Sequence, residues 1–189
     1  MPAPPKTTDA QIVQAARRLL EREGRDGFSM NDVAAAVGVR APSLYGRFKD
    51  RADLLAAVEL DVCADLGAAV GKAAVDGDPQ ASLMAQSRAV RRFAAKHPNG
   101  YSLIFDVRSV HTAAGTAARA AALGQLMPHL VALVGAEQSL LAARVLTPFL
   151  HGFVTIELAN SFRLGPGLDE AFEKGVDTIL QGFGHWKRV

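Results

Sequence analysis

The side chains of this sequence that could do chemistry are concentrated in a short run from Arg40 to Arg47, which combines arginine, serine and tyrosine. Leu44 and Phe48 are four residues apart, so they would share one buried face of a helix and leave the polar side chains exposed. Residues 1–51 carry nine Lys and Arg against six Asp and Glu, whereas the remaining residues carry twelve against thirteen. A basic first segment on a near-neutral remainder is typical of a segment that binds phosphate.

Catalytic and metal-binding patterns are absent from the sequence. It has no glycine-rich phosphate loop, no Gly-x-Ser-x-Gly turn around a nucleophile and no His-Glu-x-x-His pair. The histidines lie at positions 97, 111, 129, 151 and 185, so no two are three or four residues apart, and Cys63 is the single cysteine. We therefore expect a protein that is not an enzyme and that uses neither a cofactor nor a metal ion.

Two long helices must flank the polar run. Thr8 is a good N-cap for a helix that begins at Asp9, where apolar residues recur at helical spacing, and Gly24 would end it. On the other side of the run, Asp50 begins a helix that keeps the same period to about residue 70. The polar run is thus held between helices that can support it.

The run itself lies in a pair of short helices. Ser29 followed by Asp32 resembles a capping box, which would begin a helix over 30–37. Gly38 would stop that helix, and Pro42 opens a third one near its first turn. Two short helices joined by a tight turn form a helix-turn-helix, in which the start of the second helix reads base edges in the major groove.

The rest of the chain also indicates helices. We predict them over 80–97, 99–108, 113–134, 137–162 and 168–186, with breaks at glycine, proline and asparagine. The chain has no strand alternation or repeat, and its Ala-rich composition with only 6% aromatic residues favours helices over sheets. The expected fold is all-α, with about nine helices: an N-terminal three-helix head and a C-terminal helical bundle.

Several residues of the head occur together at fixed offsets. They are Phe28-Ser29-Met30-Asn31-Asp32-Val33-Ala34, Val37-Gly38-Val39, Ser43-Leu44-Tyr45, Phe48-Lys49-Asp50-Arg51 and Leu54-Leu55. Over about residues 8–55 this pattern resembles the signature of the TetR family of repressors. The resemblance implies that the third helix enters the major groove and that the protein binds DNA as a homodimer.

Six positions of this sequence match positions at which the family contacts DNA, so the resemblance implies that they bind DNA here. They are Ser29, Arg40, Ala41, Pro42, Tyr45 and Lys49. Ser29 and Lys49 would contact phosphates, and a base-reading Arg40 would favour guanine. Three alternatives stay open: Ser29 serves only as a helix cap, Tyr45 packs its ring on the core of the head, and Lys49 is an ordinary surface charge.

The C-terminal part resembles one subgroup of TetR-family C-terminal domains, known for a Trp-His-Gly signature. The match includes Leu150-His151-Gly152, where leucine replaces the tryptophan. The resemblance implies a small-molecule pocket and pairing of two subunits through the last two long helices. Residues 140–158 are apolar around most of the helix, so nearly all faces must be buried, part of them against a second subunit. A plain central core helix is the alternative.

Aromatic rings with a few polar groups are the usual lining of a ligand cavity. On that basis the candidate pocket residues are Phe93, Tyr101, Phe105, Arg108, His111, Phe149 and Trp186. The phenylalanines could equally belong to the core, His111 to the surface and Trp186 to the packing of a terminal helix.

These features predict a ligand-responsive transcription regulator, most often a repressor, with residues 1–52 as DNA-binding domain and 53–189 as ligand-binding and dimerisation domain. Its partners would be double-stranded DNA, a second copy of the chain and a small-molecule effector. We expect it in the cytoplasm without a membrane partner, since the chain has no apolar signal core and no stretch near the ~18 apolar residues of a membrane span. The rivals are a regulator controlled by a protein partner or by no ligand, and a small helical-bundle enzyme.

Overall fold

The computed structural model describes residues 7–106, 108–109 and 112–186, and every regular element in that part of the chain is a helix. In chain order the helices are α1 (Asp9–Glu23), α2 (Met30–Ala36), α3 (Pro42–Tyr45), α4 (Arg51–Lys72), α5 (Pro79–Lys96), α6 (Pro98–Ile104), α7 (Ala113–Gly124), α8 (Met127–Val134), α9 (Ala136–Leu158) and α10 (Leu168–Gly184). The all-α prediction is confirmed, with ten helices in the described residues where about nine were expected.

The chain forms two compact units. The first contains the residues up to 64 together with 97–119, and the second contains 65–96 and the residues from 120 onward. The division into functional domains at residue 52 stays a prediction, because compactness does not test which residues bind DNA or ligand.

In the first unit, the early helices begin and end where capping chemistry predicts. Thr8 Oγ accepts a hydrogen bond from the Gln11 backbone N–H at 3.2 Å, and the Gln11 side chain accepts one from the Thr8 N–H at 2.8 Å. Gly24 ends α1 with a φ of +76°. Ser29 and Asp32 form the second capping box, at the start of α2. Local hydrogen bonds therefore determine these boundaries.

The helix-turn-helix is held by buried apolar side chains from its three helices. Leu20, Val33 and Leu44 are fully buried, and Phe48 is nearly so. Each such side chain contributes roughly 1.5–3 kcal/mol to stability. Gly38 allows the turn between α2 and α3 with a φ of +70°, a conformation that favours glycine. The predicted turn chemistry is confirmed.

α6 packs on α1, and a carboxylate from α1 caps its N-terminus. Glu21 Oε2 accepts from the Asn99 N–H at 3.2 Å, and Oε1 accepts from the Gly100 N–H at 2.9 Å. The Asn99 side chain donates back to the Glu21 carbonyl at 3.0 Å. The first N–H groups of a helix have no partner within it, so Glu21 satisfies two that would otherwise be open.

Gly100→Ala is expected to destabilise the protein by about 1–3 kcal/mol. A Cβ at this position would lie 2.6 Å from Glu21 Oε1 and 3.3 Å from Val62 Cγ2, so the capping carboxylate would have to move. Chemical denaturation followed by circular dichroism measures the effect. In a protein that also carries Glu21→Ala, Gly100→Ala should lower the free energy of unfolding by less, because the carboxylate that would have to move is absent. Equal costs in both backgrounds would contradict this explanation.

In the second unit, α5 packs on α8, α9 and α10, and Arg91 of α5 joins it to the last two. The Arg91 guanidinium carbon lies 4.9 Å from the ring centroid of Phe172 and 5.6 Å from that of Phe153. The same guanidinium pairs with Glu157 at 2.5 Å and with Asp169 at 2.8 Å. Ring stacking and charge-assisted hydrogen bonds together hold these helices.

The single helix predicted over 113–134 is wrong: α7 and α8 are two helices, bent by 52° at a short break. Pro128 lies at the start of α8, where it has no N–H to continue the hydrogen bonding of α7. The side chain of Gln86 donates to the Gln125 carbonyl in the break at 3.0 Å. A side-chain amide thus replaces a backbone donor at the bend.

Two other helices end four residues earlier than predicted. α6 ends at Ile104 rather than at 108, and α9 ends at Leu158 rather than at 162. Asn160 has a φ of +50°, a left-handed conformation that a continuing α-helix excludes.

Candidate nucleic-acid interface

The outer side of α3 carries residues that the sequence predicts to contact DNA. Leu44 is fully buried, whereas its neighbour Tyr45 leaves 53% of its surface exposed. Adjacent residues of a helix point in different directions, so burial of Leu44 turns Tyr45 outward. Arg40 and Pro42 are exposed and Ala41 is half-buried. The tyrosine ring therefore does not pack into the core of the head, and the predicted reading edge is accessible.

Ser29, at the start of α2, is used as a helix cap. Its hydroxyl accepts from the Asp32 N–H at 3.3 Å and donates to Asp32 Oδ2 at 2.6 Å. Hydrogen bonds from the Ser29 hydroxyl and backbone hold the pKa of Asp32 below its ordinary value. Ser29 therefore caps α2. A phosphate contact by the same exposed hydroxyl stays a prediction.

The cations of the head differ in how far they are available to a polyanion. Between residues 7 and 51, five arginines are held in ion pairs or on backbone carbonyls: Arg17, Arg22, Arg25, Arg47 and Arg51. Arg18, Arg40 and Lys49 are exposed, and no described residue forms an ion pair with them. Among the described residues of the head, Arg18, Arg40 and Lys49 are thus the exposed cations that no ion pair engages. Two of the three, Arg40 and Lys49, were predicted to contact DNA.

Arg51 has a structural function that sequence reasoning did not assign. Its Nε donates to the Phe28 carbonyl at 2.9 Å, and its Nη2 donates to the Arg25 carbonyl. Its guanidinium carbon lies 4.7 Å from the centroid of the Phe28 ring. Arg51 therefore fastens the start of α4 to the loop that precedes α2, which positions Ser29. Only the place of Arg51 in the family-like motif could have drawn attention to it.

Ser29 and Tyr45 line one shallow depression on the surface of the head. Its lining consists of Asp26, Phe28, Ser29, Met30, Asn31, Tyr45, Asp50 and Arg51. The two carboxylates are already engaged, because Asp26 pairs with Arg108 at 2.9 Å and Asp50 accepts from the Asp53 N–H at 2.9 Å. The structure thus brings two of the predicted DNA-binding residues together beside carboxylates that have partners.

Three of the predicted pocket residues belong to the first unit. Tyr101 is buried, its ring centroid lies 5.2 Å from that of Phe105, and burial raises the pKa of its phenol above the ordinary value. Arg108 is exposed and pairs with Asp106 and Asp26, each at 2.9 Å. The Arg108 side chain holds the pKa of Asp106 below its ordinary value. Arg108 thus belongs to a surface ion-pair network.

Three other predicted pocket residues belong to the second unit. Phe93 is buried in α5 and Phe149 is half-buried in α9, both in the second unit. Trp186 is half-buried, with its ring centroid 4.9 Å from that of Phe183. His111 lies outside the described residues. The candidate pocket stays a prediction.

The exposed side of α9 carries a run of apolar residues, with the exposed Arg144 beside it. Leu141, Val145 and Ile156 are among the large exposed hydrophobic residues, and Pro148 and Gly152 lie on the same side of the helix. The opposite side, which includes Leu146 and Leu150, is buried in the second unit. We name the five outward residues the α9 stripe. An exposed apolar stripe of this length is a candidate interaction surface.

By length and composition alone, α9 could cross a membrane, and so could α7 and α8 if the bent pair formed one span. A central helix of a water-soluble protein meets the same criterion, so this observation is weak evidence for a span.

Sequence profiles of known families match most of the chain. Residues 12–58 match the profile described as bacterial regulatory proteins, tetR family, and residues 83–179 match that of the tetracyclin repressor-like C-terminal domain. An HTH-type transcriptional regulator of Mycobacterium tuberculosis is 30% identical over 162 residues, which cover 83% of this chain and 73% of that protein. The Trp-His-Gly subgroup is not confirmed by these matches.

Solved structures share the fold over nearly the whole length. A Rhodococcus protein of unknown function superposes with a TM-score of 0.81 at 22% identity, over 96% of this chain and 98% of its own. A variant of TetR from Acinetobacter baumannii, crystallised with minocycline, gives a TM-score of 0.72 at 20% identity, over 96% and 99% of the two chains. At these identities the likeness concerns the fold alone.

Proposed function

The chain belongs to the TetR family of DNA-binding transcriptional regulators, and on that premise we propose that it is a repressor that binds a palindromic operator as a homodimer and is released by a small molecule. The observation that carries the proposal is the exposed edge of α3, with Tyr45 turned outward by the burial of Leu44. The proposal places its action in the cytoplasm, where the operator is.

The proposed DNA contacts follow from this edge. α3 enters the major groove with Arg40, Ala41, Pro42 and Tyr45 toward the bases, and Lys49 contacts a phosphate beyond it. Arg40 is exposed and paired with no described carboxylate, so it is available to donate to guanine O6 and N7. For Ser29 to contact a phosphate, its hydroxyl proton turns from Asp32 Oδ2 to a phosphate oxygen, while its oxygen continues to accept from the Asp32 N–H.

A second copy of the chain is the proposed occupant of the α9 stripe. A stripe that pairs with itself across a twofold axis removes both apolar faces from water at once. Gly152 supports close approach, because a Cβ there would meet nothing within 4 Å; the same holds for Gly182 on α10. In the dimer the two α3 helices would lie about 34–36 Å apart, one turn of DNA.

Release by a ligand requires that the ligand bind one conformation of the body better than another. The structural neighbour from Acinetobacter was crystallised with minocycline, which supports a ligand site in proteins of this fold. A regulator without a ligand is the second candidate. If no small molecule from the cell changes the affinity for the operator, the regulator without a ligand is favoured.

Operator binding should weaken steeply with salt. Each subunit brings two exposed cations to the proposed interface, Arg40 and Lys49, and the dimer brings four, so log Kd should rise with log salt concentration with a slope of about 4. Fluorescence anisotropy with the palindrome beside the protein's own gene measures the slope. An affinity that does not change with salt concentration, or no binding to this palindrome, would contradict the repressor proposal. Either result would favour the helical-bundle enzyme.

A further inference from the structure

The loop between α1 and α2, residues 24–29, is held in place by the segment that follows α6. Nη1 of Arg25 in this loop lies 3.3 Å from Asp106 Oδ2 and donates to Ser109 Oγ at 3.1 Å. Nη2 of the same guanidinium donates to the Arg108 carbonyl at 3.3 Å. Only 17% of the Arg25 side chain and 14% of the Asp106 side chain are exposed, so little water competes for these contacts. The guanidinium fork therefore ties the loop to three residues at once.

Asp106 reaches the same loop a second time through Arg108. Its carboxylate accepts from Arg108 Nε at 3.2 Å and from Nη2 at 2.9 Å, and Nη1 of Arg108 pairs with Asp26 at 2.9 Å. The hydrogen bonds from Arg108 and the charge of Arg25 hold the pKa of Asp106 below its ordinary value, although partial burial opposes this shift. Asp106 is thus a charged carboxylate that acts on two successive residues of the loop.

The loop depends on such contacts because its own backbone is adaptable. It contains Gly24, with a φ of +76°, and Gly27, and glycine restricts the backbone less than any other residue. Arg25 and Asp26 lie between these two glycines. Ser29 follows at the start of α2 and lines one shallow depression together with Asp26. The contacts of Arg25 and Asp26 therefore help to determine the position of the Ser29 hydroxyl.

We propose that Asp106 is a positioning residue for operator binding: it holds residues 24–29 so that the Ser29 hydroxyl meets a DNA phosphate. The inference rests on the proposed function, in which Ser29 contacts DNA. The sign of its effect separates positioning from general electrostatics. Removing a carboxylate makes a DNA-binding unit more positive, which by itself strengthens its attraction to DNA. Removing the charge of Asp106 instead weakens operator binding, because the loop is no longer held in place.

Asp106→Asn keeps the shape of the side chain but removes its charge, and it is expected to weaken operator binding at least about tenfold, the scale of one hydrogen bond to a charged group. Fluorescence anisotropy with the palindrome beside the protein's own gene measures the affinity. Asp76→Asn is the matched control, because Asp76 is an exposed carboxylate between α4 and α5. The control variant should bind the operator at least as tightly as the wild type.

A double-mutant cycle shows whether Asp106 acts through Ser29. In a protein that already carries Ser29→Ala, Asp106→Asn should weaken operator binding by less than about twofold, since the contact that it positions is absent. In a protein that carries Arg40→Ala, the loss should remain at least about tenfold, because Arg40 follows the opposite end of α2. A role in stability alone would give equal losses in both proteins.

Arg25→Lys is a second variant, in case Asp106→Asn does not fold. It keeps the net charge, but one ammonium group cannot bond to all three partners of the guanidinium, so operator binding should also weaken. Arg22→Lys, the same change at an exposed arginine of α1, should have no effect. In the absence of DNA, hydrogen exchange measured by mass spectrometry over residues 24–32 should be faster in Asp106→Asn and in Arg25→Lys than in the wild type.

Operator affinity that Asp106→Asn, or Arg25→Lys in its place, leaves unchanged or increases would overturn the proposal. Equal losses in the Ser29→Ala and Arg40→Ala proteins would overturn it as well, and so would unchanged hydrogen exchange over residues 24–32. If the wild-type protein does not bind the operator, the proposed function fails, and the exchange rates still show whether Asp106 holds the loop.

Discussion

Val145→Asp is expected to convert the protein from dimers to monomers and to weaken operator binding at least about a hundredfold, since two linked heads bind far more tightly than one. Val145 lies in the middle of the α9 stripe, with 43% of its surface exposed in the single chain. In a twofold interface the substitution places a carboxylate on each copy, so two like charges are buried close together. Analytical ultracentrifugation gives the mass, and fluorescence anisotropy gives the affinity.

Val75→Asp is the matched control, because Val75 is 44% exposed and lies outside the α9 stripe, between α4 and α5. That variant should remain dimeric and bind the operator normally. Circular dichroism should report a folded second unit for both variants, since neither valine is buried in the single chain. A Val145→Asp protein that stays dimeric would mean that another surface joins the subunits.

Replacing Tyr45 and Lys49 together with alanine is expected to weaken operator binding about a thousandfold. One aromatic contact and one phosphate contact per head amount to about 2 kcal/mol, and the dimer has two heads. The salt slope should also fall by about two, because one phosphate contact is lost from each subunit. Both side chains are exposed, so Tm should change little.

Lys96→Ala is the control for this double substitution, since Lys96 is an exposed cation at the end of α5 in the second unit. It removes the same charge from a position where no DNA contact is proposed, and it should leave affinity and salt slope unchanged. Unaltered operator affinity in the Tyr45 and Lys49 double variant would show that the edge of α3 does not face DNA.

The head could be predicted well because its signals are local. Thr8, Ser29 and Asp32 bind backbone groups within three residues of themselves, so their effect on helix starts can be read from spacing. Gly24 and Gly38 adopt positive φ at the ends that their residue type indicates. Local capping chemistry needs no knowledge of the tertiary fold.

The errors arose where the deciding interaction is distant or ambiguous. Pro128 is compatible with the first turn of a new helix and with an interrupted one, and the apolar pattern continues through it, so 113–134 read as one helix. The Gln86 amide that supports the bend lies 39 residues away in the chain. The ion pair of Arg108 with Asp26 likewise joins two residues that lie 82 positions apart in the chain. Spacing along the sequence contains no information on such pairs.

The cap that Glu21 places on α6 has a consequence for building hybrid regulators. A head transplanted as residues 1–52 would leave behind Asn99 and Gly100, whose N–H groups hold the Glu21 carboxylate, and Asp106, which lies 3.3 Å from Arg25. Glu21 and Arg25 would then be charged groups without partners on a newly exposed surface. The unit that can be exchanged between two such proteins is discontinuous, and it must include residues 97–119 along with the head.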